Sequence, residues 1–172
     1  GSIEISSELG EGSTFVICIP FDPAPAPRET EQAASGSTLQ GRRLLLVEDN
    51  DLNAEIAATI LEGDGAYVSI AGDGAQAVEA FAATPAGTFD AILMDVAMPK
   101  MDGLAATRAI RALDRPDAAS IPIIAMTGNA FQEDVRECLE AGMNAHIAKP
   151  IDIAKAERAI AKVVGGRENS VR

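Results

Sequence analysis

The sequence predicts an α/β chain whose main body is a doubly wound parallel sheet of five strands, preceded by a short β-hairpin and a linker. Three observations lead there. From Arg42 onward short apolar runs alternate with stretches of helical period, the order that gives right-handed crossover units and a parallel sheet covered on both faces. The runs are Leu44 to Val47, Tyr67 to Ala71, Ala91 to Met94, Ile121 to Met126 and Ala145 to Ala148, and four of them stop at polar residues. Those stops are Glu48 with Asp49, Asp95, Thr127, and Lys149 with Pro150. Together they suit a divalent metal and a phosphoryl group, and in an open parallel sheet ligands bind at the carboxyl ends of the strands.

In chain order, residues 1–21 read as two apolar or alternating strands, Ser2 to Ser6 and Thr14 to Pro20, joined through Glu11-Gly12 as a hairpin. Residues 22–41, DPAPAPRETEQAASGSTLQG, offer almost nothing to bury. The Pro-Ala half is stiff and extended and the Ser-Gly half flexible, so this segment is a linker. The first helix opens at Asn50 or Asp51, both good N-caps, carries Leu52, Ile56 and Ile60 on one face, and ends at Gly63 and Gly65. The second spans about Ala75 to Ala83 on Ala77, Val78 and Phe81. The third follows Asp102-Gly103 with Leu104, Thr107, Ile110 and Arg111, and the fourth runs from Phe131 to Ala141 and stops at Gly142. The fifth, from Asp152, puts Ile153, Ala156, Ile160, Val163 and Val164 on one stripe. Beyond it only GGRENSVR remains, too short for an output domain. The domain is therefore expected to span 42–165, with a polar tail over 166–172, and to close the protein.

A chain of 172 residues holds one full domain with some extra. Hydrophobic residues make 47% but aromatics only 3%, so the core must be built from Ala, Ile, Leu, Val and Met. A net charge of −12 argues against nucleic acid as a partner, because that binding needs Lys and Arg to neutralise phosphates. No apolar stretch nears the roughly 18 residues needed to cross a bilayer, and no basic-then-apolar leader opens the chain. A cytoplasmic segment without membrane contact is expected, with any membrane anchor of a parent protein lying outside these residues. Cys18 and Cys138, far apart and without His or Cys at ligand spacing, are expected to be two buried free thiols. Without an initiating Met at Gly1, the chain is expected to be a piece of a longer protein.

The segments LLLVEDN, LMDVAMPKMDG, IIAMTGNA and AGMNAHIAKPI, spread from about Arg42 to Val164, together resemble the receiver (response-regulator) domain, the aspartate-phosphorylated module of two-component signalling. The resemblance implies the flavodoxin-like (βα)5 fold. It implies Asp95 as phosphoacceptor, with Thr127 as the hydroxyl and Lys149 as the lysine that meet the phosphoryl group. It also implies magnesium held by Glu48, Asp49, Asp95 and the backbone carbonyl of Ala97. The family commonly holds the Lys-Pro bond cis, so Lys149-Pro150 is expected to be cis. Met98-Pro99 to Gly103 is the loop after the acceptor, where Gly103 permits a tight approach. His146 stands where the family keeps a Tyr, Phe or His that swings inward as Thr127 moves, altering the face made by the fourth helix, fifth strand and fifth helix. Its other reading is a polar residue at a strand surface. Two departures from the family pattern are Gly128, where Ala is usual, and Ala97, smaller than the Met, Asn or Gln more often found there. A small residue at 97 leaves water a clearer path to the phosphoryl group.

The chemistry agrees with that reading. A carboxylate is a weak nucleophile and its acyl phosphate product is high in free energy, so catalysis must come from positioning and charge stabilisation. Carboxylate oxygens suit magnesium, with waters completing an octahedron. Three acids and one lysine leave the site near about −2, which a divalent ion cancels, so metal binding is expected to precede phosphorylation. Taken singly, the acids have a plainer reading as helix-terminal residues, Thr127 as a strand residue and Lys149 as a surface charge. Their joint placement at strand ends outweighs those readings.

Residues 1–21 also resemble the last strands of a histidine-kinase ATP-binding domain, without the boxes that hold ATP, so no ATP binding is expected. Asn53, in EDNDLN, resembles receivers attached to kinases. The combination implies the carboxyl-terminal part of a hybrid sensor histidine kinase. Its receiver would accept a phosphoryl group from a phosphohistidine domain of the same or a partner kinase. It would pass the group to a histidine-phosphotransfer protein docked near the acceptor and the first helix, catalysing only its own phosphorylation and dephosphorylation. Rival readings are a free-standing response regulator and a receiver-like interaction module that never carries phosphate. A buried charge cluster that costs stability when unpaired argues against the module. An aspartyl-phosphate hydrolase would carry a second Asp two residues past the nucleophile, where this chain has Ala97.

Overall fold

Runs of Leu, Ile, Val and Met too short for helices become strands, and in the computed structural model five of them form one parallel sheet. The structure describes residues 1–8, 10, 12–20, 39–128, 132–149 and 151–168. In chain order the elements are β1 (Ser2–Glu8), β2 (Gly12–Cys18), β3 (Arg43–Val47), α1 (Asp51–Gly63), β4 (Tyr67–Ala71), α2 (Gly74–Ala83), β5 (Ala91–Asp95), α3 (Gly103–Arg111), β6 (Ile123–Thr127), α4 (Gln132–Ala141), β7 (Ala145–Ala148) and α5 (Ile153–Glu168). The large sheet runs β4-β3-β5-β6-β7 with every neighbour parallel, the doubly wound flavodoxin-like order.

Alternation along the strands builds two cores. Leu45, Val47, Ile92, Met94, Ile123 and Ala125 pack with Ala77 and Phe81 of α2, Ala106 and Ile110 of α3, and Cys138 of α4. On the other face Leu44, Leu46, Leu93, Ile124, Met126 and Ile147 meet Ala57, Ala58 and Leu61 of α1 and Ala156, Ile160 and Val164 of α5. The central strands β3, β5 and β6 are therefore apolar on both sides, as parallel sheets covered by helices require. Asn50, Asp73 and Asp102 cap α1, α2 and α3 by accepting hydrogen bonds from the backbone of Asn53, Gln76 and Ala105. Gly65, at φ +90°, reverses the chain after α1, and a Cβ there would collide with the Gln40 side chain.

Several expectations shift. Leu52, Ile56 and Ile60 do not face the core: they are 64%, 50% and 37% exposed, and α1 buries Ala54, Ala57, Ala58 and Leu61 instead. The three residues thus form an apolar line on the outside of the helix. Strand β6 begins at Ile123, because Pro122 has no N–H to donate; its carbonyl still accepts from Ile92. Leu39, within the expected linker, is fully buried with Leu44, Leu46 and Leu61, and the Arg42 amide donates to its carbonyl. Helix α5 continues to Glu168, past the expected end at 165. Phe131, residues 22–38 of the linker and Pro150, with its expected cis bond, lie outside the described residues.

The hairpin belongs to a separate unit, Gly1–Ser35. Strands β1 and β2 pair antiparallel from Ser2↔Cys18 to Glu8↔Gly12. The cross-strand pairs Ile3↔Ile17 and Ile5↔Phe15 place one apolar face on the ribbon, and those four residues are all exposed. A two-stranded ribbon has no second layer to bury its residues, which corrects one expectation: Cys138 is buried, but Cys18 is exposed.

Candidate functional site

The order β4-β3-β5 places a topological switch point between β3 and β5, since the chain leaves β3 toward β4 on one side and returns to β5 on the other. At its carboxyl end lie Glu48, just past β3, and Asp95, the last residue of β5, each 4% exposed. Asp49 beside them is exposed. Lys149, just past β7, reaches across the sheet. Its Nζ donates to Glu48 Oε2 at 2.5 Å and to Asp95 Oδ2 at 2.6 Å. The remaining oxygens have neutral donors: Asn53 Nδ2 reaches Glu48 Oε1 at 3.1 Å, and the Ala97 amide reaches Asp95 Oδ1 at 3.2 Å. Among the described residues, Glu48, Asp49 and Asp95 each offer an oxygen within 4.8 Å of the others. Opposite ligands of an octahedral magnesium stand about 4 Å apart, so this all-oxygen set suits a small hard cation in chemistry and comes near it in spacing.

Electrostatics matches the geometry. Burial pushes the Asp95 carboxyl above its ordinary range, and the nearby Glu48 charge adds to this; the bonds from Lys149 and Ala97 oppose it without prevailing. Burial would lower the Lys149 ammonium, but the hydrogen bonds and charges of Asp95 and Glu48 outweigh it and hold the lysine protonated. Thr127 ends β6, 7% exposed, and the Lys149 amide donates to its carbonyl at 2.8 Å. Thr127, Asp95, Ala97 and Gly128 share a cleft of about 320 Å³ that Asp134 and Glu137 of α4 also line. A second cleft of about 410 Å³ opens beside the cluster, lined by Glu48, Lys149, Asn53, Ile56, Ile60 and Ile151.

The loop after Asp95 is pinned at both ends. A Cβ on Gly103 would stand 2.1 Å from the Asp95 carbonyl oxygen, so only glycine allows this approach, and the Gly103 amide donates to Val96. Pro99 is exposed on that loop, and the next residue, Lys100, adopts φ 66°, the one positive φ of a non-glycine among the described residues. Lys100 Nζ pairs with Asp73 Oδ2 at 3.0 Å. The backbone bond from Gln76 and this lysine keep Asp73 below the usual carboxylate range. His146 is exposed on β7, in register with Ala125 and therefore on the α4 side of the sheet. Sequence reasoning missed the Asn53 bond to Glu48 and the Lys100–Asp73 tie. In the sequence Asn53 stands out only through its resemblance to receivers attached to kinases, and nothing there marks a lysine for a left-handed conformation.

Residues 44–161 match the model of the family described as the response regulator receiver domain. The chain belongs to that family. Among solved structures, this receiver is 42% identical to the receiver domain of a sensor histidine kinase from Pseudomonas aeruginosa, which holds a magnesium ion in its active-site cleft. The match covers 73% of this chain and 98% of that one, with a TM-score of 0.65. It is 26% identical to the receiver of a Saccharomyces cerevisiae response regulator solved with its histidine phosphotransfer signalling protein, covering 75% of this chain and 92% of that one with a TM-score of 0.66. Curated relatives include the probable histidine kinase 6 of Oryza sativa, 36% identical over 78% of this chain, and the hybrid signal transduction histidine kinase I of Dictyostelium discoideum, 38% identical over 69%. The chain spans only 16% and 7% of those two relatives' lengths. Among the described residues, no helix is long and apolar enough to cross a membrane.

Proposed function

We propose that this receiver accepts a phosphoryl group from a phosphohistidine onto Asp95 within a hybrid histidine kinase, and hands it on to a histidine-phosphotransfer protein. An Asp95 carboxylate oxygen attacks phosphorus, the P–N bond to the donor imidazole breaks, and the imidazole nitrogen leaves with the electron pair. The observation that carries this reading is Lys149 bridging the two buried acids Glu48 and Asp95, with Asp49 alongside. A fold with no charge transfer to manage gains little from three carboxylates around one lysine. Lys149 turns from the carboxylates to one phosphoryl oxygen, and the Thr127 hydroxyl donates to another. Glu48, Asp49, Asp95 and the Ala97 carbonyl would hold magnesium, which supplies positive charge against the oxygens of the transferring group. His146, on the α4 side of the sheet, reports the change by moving inward after Thr127.

The donor and acceptor proteins need a surface beside Asp95. The outward line Leu52, Ile56 and Ile60 supplies an apolar one, and Ile56 and Ile60 line with Ile151 the cleft that Glu48 and Lys149 also line. A helical phosphohistidine domain fits there in the helix-in-groove manner. The hairpin at 1–21 fits the closing strands of a kinase ATP-binding domain, its apolar face covered by the rest of that domain. No ATP binding is assigned to these residues, and the parent kinase operates on the cytoplasmic side.

Intact-mass analysis after incubation with acetyl phosphate tests the reading. The wild type gains one phosphoryl group only with magnesium present, and Asp95→Asn gains none. A wild type that stays unmodified at saturating magnesium would sink the acceptor role and favour a receiver that works by interaction alone.

A further inference from the structure

We propose that Asn53 is a positioning residue for the metal: its side-chain amide fixes the Glu48 carboxylate and so sets the magnesium affinity of this receiver. The proposal deepens the reading of the acidic site given above and rests on it. Asn53 sits in the first turn of α1, where the Asn50 side chain accepts its backbone amide at 3.0 Å and holds the turn closed. From there Nδ2 donates to Glu48 Oε1 at 3.1 Å, while Lys149 takes the other oxygen, Oε2. Glu48 is 4% exposed, so water does little to orient it, and these two donors decide where its lone pairs point.

The two donors have different fates. Lys149 is shared with Asp95 and turns to the phosphoryl group once one arrives, which removes its hold on Glu48. Asn53 has no such second duty and stays. It is also neutral: a lysine or arginine here would hold Glu48 equally well but would cancel charge that the magnesium needs. An amide orients the carboxylate without competing for it, as hydrogen-bonding partners of metal ligands do elsewhere.

The test is calorimetric titration of magnesium into the wild type, Asn53→Leu and Asn53→Ala, with thermal unfolding in the absence of metal followed for each. Asn53→Leu keeps the bulk beside Ile56 and removes the donor. Asn53→Ala removes both, and each keeps the exposed helix position in a good helix former. The expected result is a magnesium Kd raised about tenfold in both variants. Their phosphorylation by acetyl phosphate lags at low magnesium, and the lag shrinks as magnesium is raised. Variants that fold and bind magnesium as tightly as the wild type would overturn the proposal. Loss of the acceptor reading looks different: the wild type then takes no phosphoryl group at any magnesium concentration, whatever the affinities.

Discussion

Lys149 answers two buried carboxylates with one charge, and the consequences of removing it can be worked out residue by residue. Lys149→Met leaves Glu48 and Asp95 side by side without a counter-ion, and the Glu48 charge then opposes ionisation of Asp95 with nothing to offset it. Burial already holds Asp95 above the usual carboxylate range, so the substitution raises it further. An acid whose folded pKa lies above its unfolded value destabilises the fold at pH above that pKa, and the loss is relieved as pH falls through it. Lys149→Met should therefore be less stable than wild type at pH 7, and the deficit should shrink as the pH falls through the raised Asp95 pKa. Breaking a buried pair costs several kcal/mol, and because the lysine keeps part of its exposure the loss at pH 7 should be about 2 kcal/mol. Urea unfolding of both proteins over a series of pH values from 7 downward measures this; a deficit that stays the same at every pH would show that the loss is packing rather than charge. At this scale much was legible. Glu48, Asp95, Thr127 and Lys149 stand at strand ends, where short apolar runs stop, and parallel pairing then brings those ends together. Their hydrogen-bond partners were not legible, because the Asn53 amide reaches Glu48 through a side-chain rotamer at a strand-helix junction that no spacing rule encodes.

Helix α1 shows where element-level reading fails. Leu52, Ile56 and Ile60 recur every four residues, which sequence periodicity takes as the core face, yet Ala54, Ala57, Ala58 and Leu61 are the residues buried. An Ala-rich helix carries two apolar stripes. The one with small side chains lets the helix axis lie close to the sheet, leaving the branched stripe exposed. Two substitutions separate the stripes. Leu61→Ala should cost about 3 kcal/mol, the usual loss for a fully buried leucine. The double change Ile56→Ala, Ile60→Ala should cost under about 1 kcal/mol. That double variant should still take phosphoryl from acetyl phosphate at the wild-type rate, while transfer from a phosphorylated histidine-phosphotransfer protein slows. Equal slowing with both donors would place the defect in the acidic site and remove α1 as the docking face. The other helices behaved more simply: α2 and α3 bury Phe81 and Ile110 from the stripes their periodicity marks, because neither carries a competing one.

At the scale of the whole molecule, the alternation of strand and helix predicts one parallel sheet with right-handed crossovers, and the flavodoxin-like arrangement follows only from the resemblance to receivers. The boundary was harder. Composition places a linker through Gly41, because Ser, Gly, Thr and Gln dominate its end and one leucine among them carries no periodicity. Yet Leu39 is fully buried against Leu44, Leu46 and Leu61, and the Gly41 amide donates to Gly65 at 2.8 Å, so the folded unit starts upstream of β3. The two boundaries make different proteins. A receiver beginning at residue 42 lacks Leu39 and leaves a leucine-sized gap beneath α1, whereas one beginning at residue 36 keeps it. Cavity energetics put the difference at about 3 kcal/mol, which for a domain of this size lowers Tm by about 10 °C. Calorimetry of the two truncations compares them directly, and Leu39→Ala in the full chain should lower Tm in the same direction without shortening anything. Truncations that melt together would mean that residue 39 adds nothing to the core, and that the domain begins at the strand after all.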